Sequence, residues 1–332
     1  MRQGHRRLIF LGLLPVALLA ASCQKPFHEE TERYVLVAAN INLSYWQEAG
    51  AGFMDAARGL GVKYEFLGPT FYSPEEELKD FQQAVASHPS GILVAPGRPE
   101  MFNTAINEAM SAGIPVIAMD TDAPDSKRIL FLGTDNREAG MESGKEIASL
   151  MNGKGQLVVI TIPGQLNLEE RLRGVQDVLA KNPKIKIART LDDQGDPRTA
   201  NTLVSDLFNK KETIDGFVCL EASGGPGAAE TLHRLGLEGK IPIVAMDKNE
   251  ETLDFVQGKV ISATIAQKPY TMAFYGLRFL DDLHHNVVHE FKDWRTAPAS
   301  PLPARVDTGT TVINASNVAA FRAALASHRS PL

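Results

Sequence analysis

Six apolar runs of this 332-residue chain end in polar side chains of types that suit hydrogen bonding to hydroxyl groups. Asn42, Tyr45 and Trp46 follow the run Tyr34–Ala39. Asp120 and Asp122 follow Val116–Met119. Gln165, Asn167 and Arg171 lie beyond Leu157–Thr161, in the loop leading into a helix. Glu221 follows Phe217–Leu220, Asp247 follows Ile243–Ala245, and Gln267 follows Ile261–Ala266. Carboxylates and amides form paired hydrogen bonds with vicinal hydroxyls, and an arginine offers a planar fork of donors. Flat aromatics cover the C–H face of a saturated ring at little entropic cost. The set holds no activated nucleophile and no paired general acid and base. Its chemistry is recognition of a neutral polyol, with no cofactor. Each residue also has a plainer use. Asp120 or Asp247 could cap the next helix, as could Asn42. Arg171 could be a solvated first-turn charge, and Tyr45 and Trp46 the first buried turn of a helix.

Other chemical signatures are weak. No G-x-G-x-x-G follows a strand. Gly140-Met-Glu-Ser-Gly144-Lys145 is one residue short of a phosphate loop, has Glu146 where a magnesium-binding hydroxyl belongs, and falls in mid-helix. Ser223-Gly224-Gly225-Pro226-Gly227 opens a helix, so its amides could meet an anion, although a turn is the commoner use. There is no G-x-S-x-G elbow. His284, His285 and His289 cluster after a helix without a second set of carboxylates or cysteines, which reads as a solvated face and not a metal site.

These residues need elements to position them. Trp46, Ala49, Phe53, Ala57 and Leu60 recur at spacings of three and four, the period of a helix packed on one side. Ser73-Pro74-Glu75-Glu76 supplies a cap, a proline at the first helical position and acidic first-turn residues. From Tyr34 to Leu283, short apolar runs alternate with helical patterns, and the series restarts after Gly153-Lys154-Gly155. Alternation of this kind means βαβ units and parallel sheets. The expected fold class is α/β: two similar doubly wound, Rossmann-like lobes. In such sheets, ligands bind just outside the carboxyl ends of the strands.

The net charge is −6, and no basic run occurs beyond the extreme N-terminus, which disfavours nucleic acid. Residues 1–22 read as a signal peptide. Arg2, Arg6 and Arg7 precede the apolar run Leu8–Leu19, which is shorter than the ~20 residues that span a bilayer. Ala20-Ala21-Ser22-Cys23 resembles a bacterial lipobox, which implies lipidation at Cys23 and attachment to a membrane surface. Residues 23–33 then serve as a tether. Cys219, the other cysteine, sits in an apolar run and is expected as a buried free thiol.

At larger scale the chain resembles the periplasmic sugar-binding proteins of ribose type, receptors of ABC importers that share a fold with the effector domains of lac-repressor-like regulators. The resemblance runs from Tyr34 to about Ile313. It rests on the ordered series AANINLSYWQEAGAGFMDAARGLGV, GILVAP, AGIPVIAMDTD, GTDNREAG, GQLNLEERLRG, IVAMD and ATIAQKPY. It implies a monomer of two lobes joined by three crossings, near Thr134, Gln267 and Val306. The N-terminal lobe would hold residues 34–133 and 268–305, and the C-terminal lobe 134–267 and 306–314, with 315–332 as a tail. Ligand would sit between lobes that close by a hinge. Tyr45 and Trp46 match the family's stacking aromatics, Asp120 and Asp247 its carboxylates, Arg171 its clamping arginine and Gln267 its hinge-side amide. Leu43, Ala95-Pro96, Thr121, Glu221 and Gly195 depart from the ribose-type pattern, which speaks against ribose itself. The implied partners are a monosaccharide or sugar derivative and an ABC permease. The alternative is a sensory receptor that passes a sugar or furanone signal to a chemoreceptor or histidine kinase.

Overall fold

The computed structural model describes residues 27–285 and 302–328. Residues 1–22, Cys23 and His289 lie outside the described residues, as does most of the Pro- and Ala-rich stretch before Arg305.

Two six-stranded sheets carry the fold. In the first, β1 (Arg33–Val37), β2 (Lys63–Leu67), β3 (Gly91–Val94), β4 (Val116–Met119), β5 (Phe131–Gly133) and β11 (Arg305–Asp307) run parallel in the order β2-β1-β3-β4-β5-β11. In the second, β6 (Lys154–Thr161), β7 (Lys184–Asp192), β8 (Gly216–Cys219), β9 (Ile243–Met246), β10 (Ala263–Ala266) and β12 (Thr311–Asn314) take the order β7-β6-β8-β9-β10-β12. Only β12 is antiparallel to its neighbour. The two orders are the same once the strands are renumbered, so the lobes are copies of one topology. In each sheet the strand order reverses at the first strand, which opens a crevice at the carboxyl ends.

The central strands are apolar throughout because both faces are covered. Gly91–Val94, Val116–Met119, Gly216–Cys219 and Ile243–Met246 are buried at every position. Helix α1 (Ser44–Leu60) buries the stripe foreseen from its spacing and ends at Gly61, whose φ of 74° requires a left-handed residue. Helix α2 (Pro74–Ala86) starts as its sequence dictates, with Ser73 Oγ accepting from the Glu76 amide.

The first crossing, at residues 134–135, carries the chain into α4 (Asn136–Leu150), which packs on α5 (Leu166–Leu179). The second, at 267–268, leads back into α9 (Pro269–His285) of the first lobe. The third differs from the sequence reading. Arg305–Asp307 pairs with Phe131–Gly133, so Val306 belongs to the first sheet and the crossing spans residues 308–310. The crossings are bonded to one another. Thr134 Oγ1 donates to Gln267 Oε1 at 2.8 Å, the Asp135 amide donates to Asp307 at 3.0 Å, and the Thr308 amide donates to the Gly133 carbonyl at 2.8 Å.

Both ends of the described chain are more ordered than tether and tail suggest. Residues 27–32 pack against the end of α9 through His28 and Glu32. Helix α10 (Val318–His328) seats Phe321 and Leu325 on the second lobe's core, and Arg322 reaches Asp254 of α8 (Glu250–Gln257) at 2.5 Å. Cys219 is a buried free thiol, as expected.

Candidate functional site

Among the described residues, Arg171 is the largest side chain that is almost fully buried. It lies on the second turn of α5, not in the loop before it. Nε donates to Asn136 Oδ1 at 2.9 Å, Nη1 to the Leu220 carbonyl at 2.7 Å and Nη2 to Gln267 Oε1 at 2.7 Å. One guanidinium therefore ties together the start of α4, the end of β8 and the second crossing. Of its five N–H groups, three find acceptors among the described residues. The helix that carries it sits unusually close to α4. A Cβ on Gly140 would lie 2.0 Å from the Arg171 carbonyl, and one on Gly174 would lie 2.1 Å from the Arg137 carbonyl. Gly140, from the segment that faintly suggested a phosphate loop, and Gly174 thus let two helices touch and fix the height of Arg171.

Two carboxylates face this arginine from equivalent places. Asp120 ends β4 and Asp247 ends β9, within the matching segments Pro115-Val-Ile-Ala-Met-Asp120 and Pro242-Ile-Val-Ala-Met-Asp247. Both take left-handed backbone, with φ of 62° and 70°. That region costs most residues of order 1 kcal/mol, and aspartate tolerates it better than most. In each case the amide bonds to the neighbouring strand, Asp120 to Leu132 and Asp247 to Ile265. The strained residue turns its side chain off the sheet and into the crevice. Tyr45 donates to Asp120 Oδ1 at 2.5 Å and Asn167 donates to Asp120 Oδ2 at 3.1 Å, while Gln267 Nε2 donates to Asp247 Oδ1 at 3.0 Å. Burial raises both carboxyls above the usual range, and Arg171 partly offsets it; Asp247 is pushed up to about 6.

Tyr45 and Trp46 meet edge to face, with centroids 5.0 Å apart and planes at 82°. They are 9% and 6% exposed, so they belong to the first lobe's core and also wall the crevice. The two uses considered from sequence coexist. Burial, then the Asp120 charge, pushes the Tyr45 phenol well above its ordinary value, so it stays a donor.

Glu221 explains the glycine-rich turn. Its oxygens accept from the Ser223 amide at 2.7 Å and the Gly224 amide at 2.6 Å, at the start of α7 (Gly224–Arg234). The anion that those amides could meet is the chain's own carboxylate. Asp193 lies beside it, fully buried, and burial with the Glu221 charge raises its carboxyl strongly.

These groups line one crevice of about 570 Å³, counted with its open mouth, a size suited to a small ligand. The first lobe contributes Tyr45, Trp46 and Asp120; the second contributes Arg171, Glu221, Asp247 and the crossing residue Gln267. Nine of the eleven polar and aromatic residues singled out from the sequence are brought together, Gln165 and Asn167 among them. The exceptions are Asn42 and Asp122. Asn42 is exposed, its side chain donates to the Thr70 carbonyl at 2.9 Å, and Leu43 occupies the cap position of α1 without a side-chain bond. Asn42 neither faces the crevice nor caps the helix. Asp122, a residue later than Asp120 in the same loop, is turned away to pair with Arg128.

Sequence reasoning missed Tyr72. It stands in the loop before α2, donates to the Gly97 carbonyl at 3.1 Å, and reaches across to Ile162 and Gly195 of the other lobe. Burial pushes its phenol up to about 12. It follows β2 by five residues, but that strand, Lys63-Tyr-Glu-Phe-Leu67, is of mixed polarity and lacks the apolar run that marked the other strand ends. Its contact is one of several that bridge the lobes, with Asp120–Asn167 and an ion pair of Glu48 with Lys248 Nζ at 2.6 Å. Lys248 also donates to the Gln267 carbonyl at 3.1 Å. Lys248→Met is expected to shift the unliganded chain toward an open form, raise its radius of gyration in small-angle X-ray scattering, and weaken ligand binding about fivefold, roughly 1 kcal/mol.

Similar proteins share this architecture. A structure of AraP, an arabinose-binding protein from Geobacillus stearothermophilus, is 34% identical with a TM-score of 0.72, covering 87% of this chain and 99% of that one. The XylFII–LytSN complex contains a chain 28% identical with a TM-score of 0.77, covering 86% and 98%. The xylose/arabinose-binding protein XylF of Sulfolobus acidocaldarius is 24% identical over 289 residues, 80% of this chain and 67% of the relative. Residues 34–285 match the family described as the periplasmic binding protein domain. With two like-wound lobes and a polar crevice between them, the chain belongs to the periplasmic binding proteins, in the sugar-binding branch that serves ABC importers.

Proposed function

We propose that this chain is a lipid-anchored, extracytoplasmic receptor that captures one monosaccharide or close derivative between its lobes and presents the closed form to an ABC permease. The observation that carries the reading is the convergence of Arg171, Asp120 and Asp247 on a crevice walled by Tyr45 and Trp46. The aromatics supply an apolar face, and the buried ionic groups supply bonds of fixed direction that only a hydroxylated ring of the right size can complete. Binding, not turnover, is the activity. None of the polar groups in the set is poised as a nucleophile: Arg171 donates to Asn136, Leu220 and Gln267, and Asp120 and Asp247 accept from Tyr45, Asn167 and Gln267. Cys23 is the proposed point of lipid attachment, and mass spectrometry of the membrane-extracted protein reads it directly.

The purified protein is expected to gain thermal stability with one member of a panel of pentoses, hexoses and alditols. The gain is about 2.7 kcal/mol at 100 times the dissociation constant. A panel that shifts nothing overturns the reading.

The solved XylFII–LytSN complex favours a second reading, in which the closed form engages a partner other than a permease. The same crevice serves both, and co-purification of the liganded protein with its membrane partner separates them.

A further inference from the structure

We propose that His28, Glu32, Asp281 and His285 form a zinc site that fastens the segment preceding β1 to the end of α9. The sequence reading assigned His285 to a solvated face because no second set of ligands was near in the chain. The fold supplies one. One ligand atom from each of the four residues lies within 4.8 Å of all the others. His28 Nε2 stands 3.0 Å from Asp281 Oδ1, and His285 Nε2 stands 3.0 Å from Glu32 Oε2 and 3.5 Å from Asp281 Oδ1. A tetrahedral ion with bonds of about 2.1 Å puts its ligand atoms roughly 3.4 Å apart. The donors are already near that spacing.

The chain geometry suits the purpose. His28 and Glu32 are four residues apart just before β1, and Asp281 and His285 are four apart on the last turns of α9, on one helical face. The side chains are 16%, 4%, 8% and 15% exposed, so the cluster is shielded but reachable. Outer contacts aim the ligands. Tyr34 donates to Asp281 Oδ1 at 3.2 Å, and the Glu29 amide donates to Glu32 Oε1 at 2.6 Å, which leaves Oε2 turned inward. Phe27 stacks on the His285 ring with centroids 4.5 Å apart. Such second contacts hold metal ligands in place. Two imidazoles with two carboxylates suit zinc, whereas calcium and magnesium favour sites built of oxygen alone.

The site lies at the amino end of β1, and the sugar crevice lies beyond its carboxyl end, so the two are at opposite ends of the first lobe. Zinc here would fix how the lobe is held relative to the chain that precedes it. The proposal is independent of the identity of the sugar.

The test strips the purified protein with a chelator and returns Zn2+ alone. The expected result is one equivalent retained per chain after desalting, and a melting temperature raised by about 5 °C near 100 times the dissociation constant. Co2+ in its place is expected to give the visible absorption of a tetrahedral ion. His28→Gln and His285→Gln are each expected to abolish retention and the Co2+ bands while the ligand-induced thermal shift persists. His28 precedes β1 and lies outside the strands and helices, so His28→Gln keeps the test decisive even if His285→Gln on α9 does not fold. Failure of the wild type to retain zinc, retention by both variants, or an equal rise with Mg2+ overturns the proposal.

Discussion

Arg171→Met is expected to abolish ligand binding and to lower the unfolding free energy by about 3–5 kcal/mol, the usual effect of removing one partner from a buried ionic group. Methionine replaces the stem but none of the donors. Asn136 Oδ1 and the Leu220 carbonyl, both buried, lose this partner, and Gln267 Oε1 keeps only Thr134. Each stranded acceptor costs of order 1–3 kcal/mol before relaxation. Asp120 and Asp247 lose the cation that offsets their burial, which drives both carboxyls further toward the neutral form. Urea denaturation at neutral pH reads the stability, and thermal shift with the identified ligand reads the binding. Arg171→Lys is expected to fall between, because an ammonium cannot bond three acceptors spread around a plane. A variant as stable as the wild type would mean that the network merely coexists with the fold.

This result would separate two roles that the sequence merged. In the sequence, Arg171 read as a solvated first-turn charge or, through the family resemblance, as a clamp for ligand. Neither description includes holding the second crossing to β8. That role depends on contacts between residues 35, 49 and 96 positions apart, and no local pattern encodes such contacts. The fold was far more legible. Apolar runs of four or five residues between helical periods could only be strands covered on both faces, and the restart after Gly155 announced the second lobe. The third crossing lies a few residues beyond Val306 because the polar break at residues 308–310 separates two short strands, Arg305–Asp307 and Thr311–Asn314, of different sheets. The break between them at Gly309, with φ of 70°, was the available signal. The partner of His285 escaped sequence reasoning for the same reason as those of Arg171: Glu32 lies 253 positions away.

The matching Pro-x-x-Ala-Met-Asp segments were present in the sequence and went unused as a pair. They show why the two carboxylates belong together. Each lobe spends its fourth strand on delivering one aspartate, in left-handed backbone, to the same crevice. Closure brings the two near a single arginine held by the second lobe, and a neutral hydroxylated ligand can satisfy the three groups together. On the proposed function, the unliganded protein carries the electrostatic strain of two buried carboxylates, which ligand would relieve.

That strain is measurable. Asp247→Asn is expected to stabilise the unliganded protein by about 3 kcal/mol at pH 7 while weakening ligand binding roughly 10- to 100-fold, the loss of one charge-assisted hydrogen bond of about 1.5–3 kcal/mol. Burial raises the Asp247 carboxyl from 3.8 to about 6. At 1.36 kcal/mol per unit, that difference of about 2.2 is roughly 3 kcal/mol. The folded state binds the proton more tightly than the unfolded state, so this group's contribution to stability falls as pH rises from about 4 to about 6 and stays low above. Asparagine has no proton to lose and keeps an oxygen for Gln267 Nε2, and it tolerates the left-handed backbone at φ of 70°. The gap between variant and wild type should therefore be full at pH 7 and vanish by about pH 4. Urea denaturation of both proteins across that range decides the matter. A variant less stable than the wild type at pH 7 would mean that Arg171 and Gln267 more than repay the burial of the charge, and that Asp247 is held for the fold and not against it.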